Sequence, residues 1–332
     1  MQGEITISPF FNLSSLIYTM LTRRHIRVKV MQSMYAFTQS ANDNLIVEQK
    51  FLQKSMREMY DLFLLNLDLL VQVKNKGQDY IEKSQKKHLA TNEDKNPNLK
   101  FIENSLLLKI ADSESLNELL EDKRLTNWHQ DDEYVSIIWE EVRQSELYKN
   151  YLASGDSSFQ EDKEFVINIF KEIIAPNDKL YEYLEDKKLT WLDDLPIVNT
   201  SILKFLKKEK DDKADLKIPK LFKNKEDEEF AIDLFRKTLL NQETYIDDIQ
   251  EKTPNWDKDR IAGIDSILLK MAICEFMKFP SIPVKVTINE YLEIAKEYST
   301  PKSSIFINGI LDKLSKEYKT DEKINKIGRG LM

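Results

Sequence analysis

The chain has 332 residues, with only 7 Gly and 9 Pro, and a net charge of −8. So little turn punctuation argues against a β-rich fold and for an all-α one. The acidic balance excludes a protein that coats nucleic acid with its whole surface, so any nucleic-acid contact has to be a local basic patch. The one cysteine, Cys274, cannot form a disulfide within the chain and fits a reducing cytoplasm.

Residues 1–19 hold Phe10, Phe11, Leu13, Leu16 and Ile17 but no Lys or Arg. They lack the basic start of a secretory signal and are too short to span a bilayer, so they read as a leader, disordered or added by an upstream start. Residues 22–40 read as one helix. At about 100° per residue, Ile26, Val30, Met34 and Phe37 share one face, and Arg24, Arg27, Met31 and Tyr35 the next. A second helix is expected from Glu48 to about Lys74, with Phe51, Met59, Leu62, Phe63, Leu67 and Leu70 spaced for burial. Residues 75–98 are polar and end in Asn-Pro, as a loop or a long solvated helix end, and mark a boundary.

Helical periodicity continues from 99 to 215, with breaks at Ser154-Gly155-Asp156 and Ala175-Pro176-Asn177. The charge run Lys207 to Lys213 reads as an exposed helix end or linker. Phe165, Phe170, Trp191, Asp194, Ser201, Ile202 and Leu203 return without a gap as Phe230, Phe235, Trp256, Asp259, Ser266, Ile267 and Leu268. Chance similarity between amphipathic helices and a duplicated helical unit both account for this echo.

From Lys225 onward the pattern sharpens. Phe230, Leu234, Phe235 and Leu239 make one helix; Tyr245, Ile246 and Ile249 make another, stopping at Thr253-Pro254. Arg260 to Phe279 is apolar on more than one face and is expected to be the most buried element. Thr287 is placed to cap a helix running to about Tyr298, and Ser299-Thr300-Pro301 to open a last helix from Lys302 to about Lys319.

Signals for catalysis are weak. His25, His88 and His129 are scattered without metal-ligand spacing, and there is no Gly-rich phosphate loop or Gly-x-Ser-x-Gly. Asp193-Asp194 and Asp247-Asp248 are neighbours on helices, pointing about 100° apart, and do not form acid–base pairs. Cys274 reads as a structural thiol. No enzyme activity, metal or cofactor is expected.

Asn255-Trp256-Asp257-Lys258-Asp259-Arg260-Ile261, Ile264-Asp265 and Ile267 through Phe276 resemble the C-terminal half of the transcription antitermination factor NusB family, as do Ile282 through Tyr291, Ala295-Lys296 and Phe306-Ile307-Asn308-Gly309-Ile310-Leu311-Asp312. Upstream, Arg23-Arg24, Arg27, Gln32 and Tyr35 resemble its arginine-rich first helix. The resemblance implies two helical bundles of NusB type, here with an additional helical insertion. The organisation it implies is a leader at 1–19, an N-terminal bundle with an RNA-binding first helix at 20–74, an inserted helical region at 75–225, a C-terminal bundle at 226–320 and a tail at 321–332. It implies a non-catalytic, cytoplasmic factor that binds the single-stranded boxA element of ribosomal RNA leader transcripts. The partners implied are the ribosomal protein NusE and the RNA polymerase antitermination complex.

The expected RNA-binding residues are Arg23, Arg24, Arg27, Lys29, Gln32 and Tyr35 on the first helix, and Lys302, Ser303, Ser304 and Phe306 at the start of the last. No acidic residue lies between Glu4 and Asp43, and Arg both forks onto phosphate and stacks on bases. Tyr35 and Gln32 add stacking and base-edge hydrogen bonds. From the residues alone, an ordinary solvated helix start and a core role for Phe306 stay open; the family's aromatic at that position packs on a base. Asp259 and Arg260 are expected to cap the central helix, and Gly309 to serve close helix packing. Asn289-Glu290 is expected either to hydrogen-bond within the fold or to face the protein partner. The alternative reading is a helical interaction scaffold that has lost RNA readout, motivated by the insertion and the charge of −8. An RNA-modifying enzyme with a NusB-like domain fits less well, because nothing after Met332 remains to hold a catalytic domain and the middle shows no strand–loop–helix unit.

Overall fold

A computed structural model describes residues 19–40, 44–155, 158–210, 215–253 and 263–331. Beyond one isolated bridge between Thr19 and Lys220, the described residues form helices and connections only. No helix among them is long and apolar enough to cross a membrane.

The first helix, α1 (Arg23–Gln39), starts at Thr22, whose hydroxyl accepts from the His25 N–H while the His25 ring accepts from the Thr22 N–H. This reciprocal cap is a capping box with histidine in place of the usual Glu or Gln. α2 (Leu45–Gln85) follows, capped by Asn44, and runs 41 residues. The expected stop near Lys74 is absent, and the division expected between 74 and 75 falls inside this helix. Its length exceeds the apolar run because its far end is buried by new neighbours: Val73, Gly77 and Ile81 face inward. A Cβ on Gly77 would lie 2.7 Å from the Phe101 ring, so only glycine lets that ring pack against α2.

The middle consists of short helices: α3 (Asn92–Lys95), α4 (Ser105–Ala111), α5 (Glu114–Asp122), α6 (Asn127–Gln130), α7 (Asp132–Gln144), α8 (Glu146–Ala153), α9 (Phe159–Ile169, continued by a π-helical turn at Phe170–Ile174), α10 (Asp178–Lys187) and α11 (Thr190–Lys208). Aromatic rings fill their interfaces. Phe101, Trp139, Tyr148 and Phe165 interlock, and Trp128 and Trp191 donate from their indoles to the carbonyls of Leu65 and Glu58 on α2. Of the expected breaks, Ser154-Gly155 follows α8, with Asp156 outside the described residues, and 175–177 separates the π turn from α10, where Asn177 is the cap.

The C-terminal part is α12 (Lys225–Leu240), α13 (Gln242–Lys252), α14 (Gly263–Lys278), α15 (Val284–Tyr298) and α16 (Ser303–Thr320). These follow α9–α11 at close to the offset of the sequence echo; the counterparts Trp256 and Asp259 lie outside the described residues. As its all-round apolarity predicts, α14 is the central element, with Ile267 through Phe276 buried and α1, α12, α13, α15 and α16 packed around it. Burial pushes the Cys274 thiol up to about 11, consistent with a structural role. The α14 C-terminal end is closed by Lys326, which donates to the carbonyls of Glu275 and Phe279.

Two expectations change. α15 begins at Val284 after Pro283, so Thr287 is not its cap; it is fully buried and donates to Glu275 instead. Gly309 faces solvent with no atom within 4 Å of where a Cβ would sit, so it serves no helix packing. Asp259 and Arg260 lie outside the described residues.

Candidate nucleic-acid interface

Helix α1 does not lie on the surface as an amphipathic helix would. It is enclosed by α2, α12, α14 and α15, and every residue from Ile26 to Met31 is buried. Apolar and charged side chains alike therefore point into protein, and each buried cation needs a buried partner.

Arg27 is 2% exposed and grips the fully buried Glu275 of α14 with two hydrogen bonds, Nε to Oε2 at 2.9 Å and Nη2 to Oε1 at 2.7 Å. Thr287 donates to the same carboxylate at 2.7 Å and Tyr291 at 3.3 Å. The Arg27 guanidinium lies between the rings of Phe230 and Tyr291. Burial opposes its charge, but Glu275 outweighs burial and holds its pKa above the usual value. Lys29 points the other way and pairs with Asp194 of α11 at 2.7 Å. Burial lifts the Asp194 carboxyl to about 6 against the pull of Lys29. Neither Arg27 nor Lys29 presents its cation at the surface, contrary to expectation; enclosure of α1 turned both into internal ties.

Arg23 and Arg24, in the first turn, are partly exposed. Arg23 pairs with Asp227 of α12 at 2.9 Å and lies over Phe230; Arg24 forks onto Glu290 of α15 at 2.9 and 3.0 Å. Glu290 thus hydrogen-bonds within the fold, while Asn289 is exposed. Gln32 is half-buried and Tyr35 is 43% exposed.

At the other candidate segment, Ser303 is buried and donates to Asp265 of α14 at 2.7 Å, while Ser299 donates to the second oxygen of Asp265. This clamp orients the start of α16. It leaves Lys302 exposed, Ser304 and Phe306 half-buried, and Ile305 75% exposed. Phe306 packs against the core on one side. A Cβ on Gly263 would lie 3.6 Å from the Tyr35 ring, two residues before Asp265. The far end of α1 and the start of α16 therefore meet at the first turn of α14. Arg23 and Arg24 lie at the other end of α1, about 18 Å from Tyr35 at the helical rise.

Between these ends runs α15, with Glu290, Glu293 and Glu297 close enough to Arg24 to raise its pKa, after the larger effect of its hydrogen bond to Glu290. Around the first turn of α1, a cleft of about 890 Å³ is lined by Thr22, Arg23, Arg24 and His25, by Lys204 of α11, and by Lys223 and Asn224. Burial lowers the pKa of His25, and Lys204 and Arg24 lower it further. No group of three or more potential metal ligands occurs among the described residues.

Glu275, Asp265 and Asp227 fix the positions of the candidate residues, a role not expected of them from sequence, where Asp265 and Glu275 stand only as part of the family resemblance. A signal was available. Glu275 stands inside the run Met271-Ala272-Ile273-Cys274-Glu275-Phe276, and an acid buried there demands a buried cation.

Residues 197–316 match the family model described as "NusB family". Among curated proteins, the chain is 44% identical over 104 residues to the transcription antitermination protein NusB of Salinibacter ruber, covering 31% of this chain and 65% of that one. It is 40% identical over 104 residues to the namesake protein of Chloroherpeton thalassium, covering 31% and 49%. It is 42% identical over 94 residues to that of Koribacter versatilis, covering 28% and 64%. The matched stretch thus spans less than two thirds of each of these relatives. No solved structure matches the chain.

Proposed function

We propose that this chain, whose residues 197–316 match the NusB family model, is a non-catalytic transcription antitermination factor. In this reading it binds boxA-like single-stranded RNA together with a ribosomal protein of the NusE type and delivers both to transcribing RNA polymerase. The observation that carries the proposal is that the Arg-rich helix outside the matched stretch is tied, through Arg23, Arg24 and Arg27, to Asp227, Glu290 and Glu275 inside it. The two parts of the family pattern are thus one unit. RNA contact falls to the residues that reach the surface: Arg23 and Arg24 at one end of α1, and Gln32, Tyr35, Lys302, Ser304 and Phe306 at the other. Arg27, Lys29 and Ser303 hold these ends in place.

The test is a titration of boxA RNA against a scrambled strand, with Arg24→Ala and Phe306→Ala measured separately. Each variant is expected to weaken boxA binding by roughly tenfold, the scale of a lost stacking or charge-assisted contact. Equal affinity of wild-type protein for both strands would end the boxA reading.

The second reading is a protein-interaction scaffold, favoured by the large helical middle that lies outside the matched stretch. Pulldown of tagged protein with and without nuclease separates the two: partners retained at full strength, with no RNA recovered, support the scaffold.

A further inference from the structure

Within the RNA-binding reading, Arg23 and Arg24 offer hydrogen bonds to RNA but add little net charge, since Arg23, Arg24 and Arg27 each face a carboxylate of the same protein. The cleft at the start of α1 nevertheless keeps an excess of positive charge. Four cationic side chains that reach solvent line it (Arg23, Arg24, Lys204 and Lys223) against three carboxylates (Glu226, Asp227 and Glu290), while the sealed Arg27 is answered by Glu275. Lys204 and Lys223 are exposed and have no ion pair among the described residues. We propose that this cleft is a phosphate track for single-stranded RNA, with Lys204 and Lys223 as its phosphate-binding side chains.

Three further observations support the assignment. The cleft, at about 890 Å³, lies near the top of the roughly 300–1,000 Å³ range of ligand pockets, so it has room for more than one nucleotide. The segment carrying Lys223 is held in place: Met20 and Leu21 donate to the carbonyls of Lys220 and Leu221, and Tyr60 donates to that of Pro219. Lys217, Lys220 and Lys223 recur along it at every third position, all exposed. Third, the other route away from Arg24, along α15, is lined by Glu290, Glu293 and Glu297 and repels a polyanion. A strand leaving the first turn of α1 is steered toward α11 and the 215–224 segment.

The experiment is fluorescence anisotropy on the full chain across a salt series, with labelled boxA-like RNA flanked by oligouridine as the probe. Lys204→Ala with Lys223→Ala is expected to weaken binding roughly tenfold. It should also flatten the dependence of log affinity on log salt by about 1.4, the contribution of two single-strand phosphate contacts. Lys204→Arg with Lys223→Arg is expected to retain both affinity and slope. Unchanged affinity and slope in the alanine pair, with wild-type protein still binding, would take the cleft off the RNA path and leave the RNA reading standing. Weaker binding at an unchanged slope would mean that the lysines act indirectly, and it overturns the proposal too. Wild-type protein that binds no RNA removes both readings.

Discussion

Two cations two positions apart on α1 are buried in opposite directions, and their surroundings differ. Arg27 meets Glu275 through both ends of its fork, and Thr287 and Tyr291 donate to the same carboxylate. Lys29 meets Asp194 through a single oxygen, and the other, Oδ2, is buried without a hydrogen-bond partner among the described residues. The first joint binds α1 to α14, inside the stretch that matches the family. The second binds α1 to the start of α11, just before that stretch begins at 197. Helix α1 is thus tied to the matched stretch by a saturated network, and to α11 by a singly hydrogen-bonded ion pair. Buried charges with every lone pair answered resist removal of one member, whereas a half-answered pair is close to replaceable by apolar side chains.

Substitutions can break or sharpen this contrast. Arg27→Ala leaves Glu275 buried and uncompensated, and urea denaturation is expected to show a loss of about 3–5 kcal/mol. The second joint should respond to pH. The folded-state pKa of Asp194, about 6, lies above the ordinary aspartate value of 3.8, so between these values the native state holds more protons than the unfolded one. Its contribution to stability is therefore greatest at the acid end and declines as pH rises through 6, by up to about 3 kcal/mol. Replacing the pair, Lys29→Met with Asp194→Leu, is expected to remove that slope and to leave stability at neutral pH unchanged or higher. A large loss on this exchange would show that the two joints are alike after all.

Arg24→Ala, at a partly exposed pair, is expected to cost no more than about 1 kcal/mol of stability while weakening RNA binding. That separates a surface role from the internal ties at Arg27 and Lys29. The smallest effect is expected at Gly309. Alanine meets nothing there and removes a helix-interior glycine, so thermal unfolding should show a gain of up to about 1 kcal/mol.

The helices of the C-terminal region were legible because periodicity, proline breaks and caps agree there. The expected run from Arg260 to Phe279 became Gly263–Lys278 within the described residues. The end of α2 was not legible, since the burial of Gly77 depends on rings from segments distant in sequence, Phe101 and Trp139. At the candidate site, sequence identified the basic cluster but not its fate. Spacing placed Arg27 and Tyr35 on one face, yet Arg27 is sealed and Tyr35 exposed, because α14 and α15 cover only part of that face. The lysines of the cleft come from parts of the chain about 180 to 200 positions away, and no local pattern joins them to α1.

Helix α2 is about 60 Å long at the helical rise. Arg57, in its first part, reaches Glu228 of α12, and Lys76, in its last, reaches Asp132 of α7. A single continuous helix therefore packs against both the matched stretch and the middle. The extra helices cannot swing as a tethered lobe or be excised like a surface loop. A shortened version would have to keep α2 and α11 and rejoin the chain between them, and any partner gripping the middle would transmit its pull straight to the base of α1.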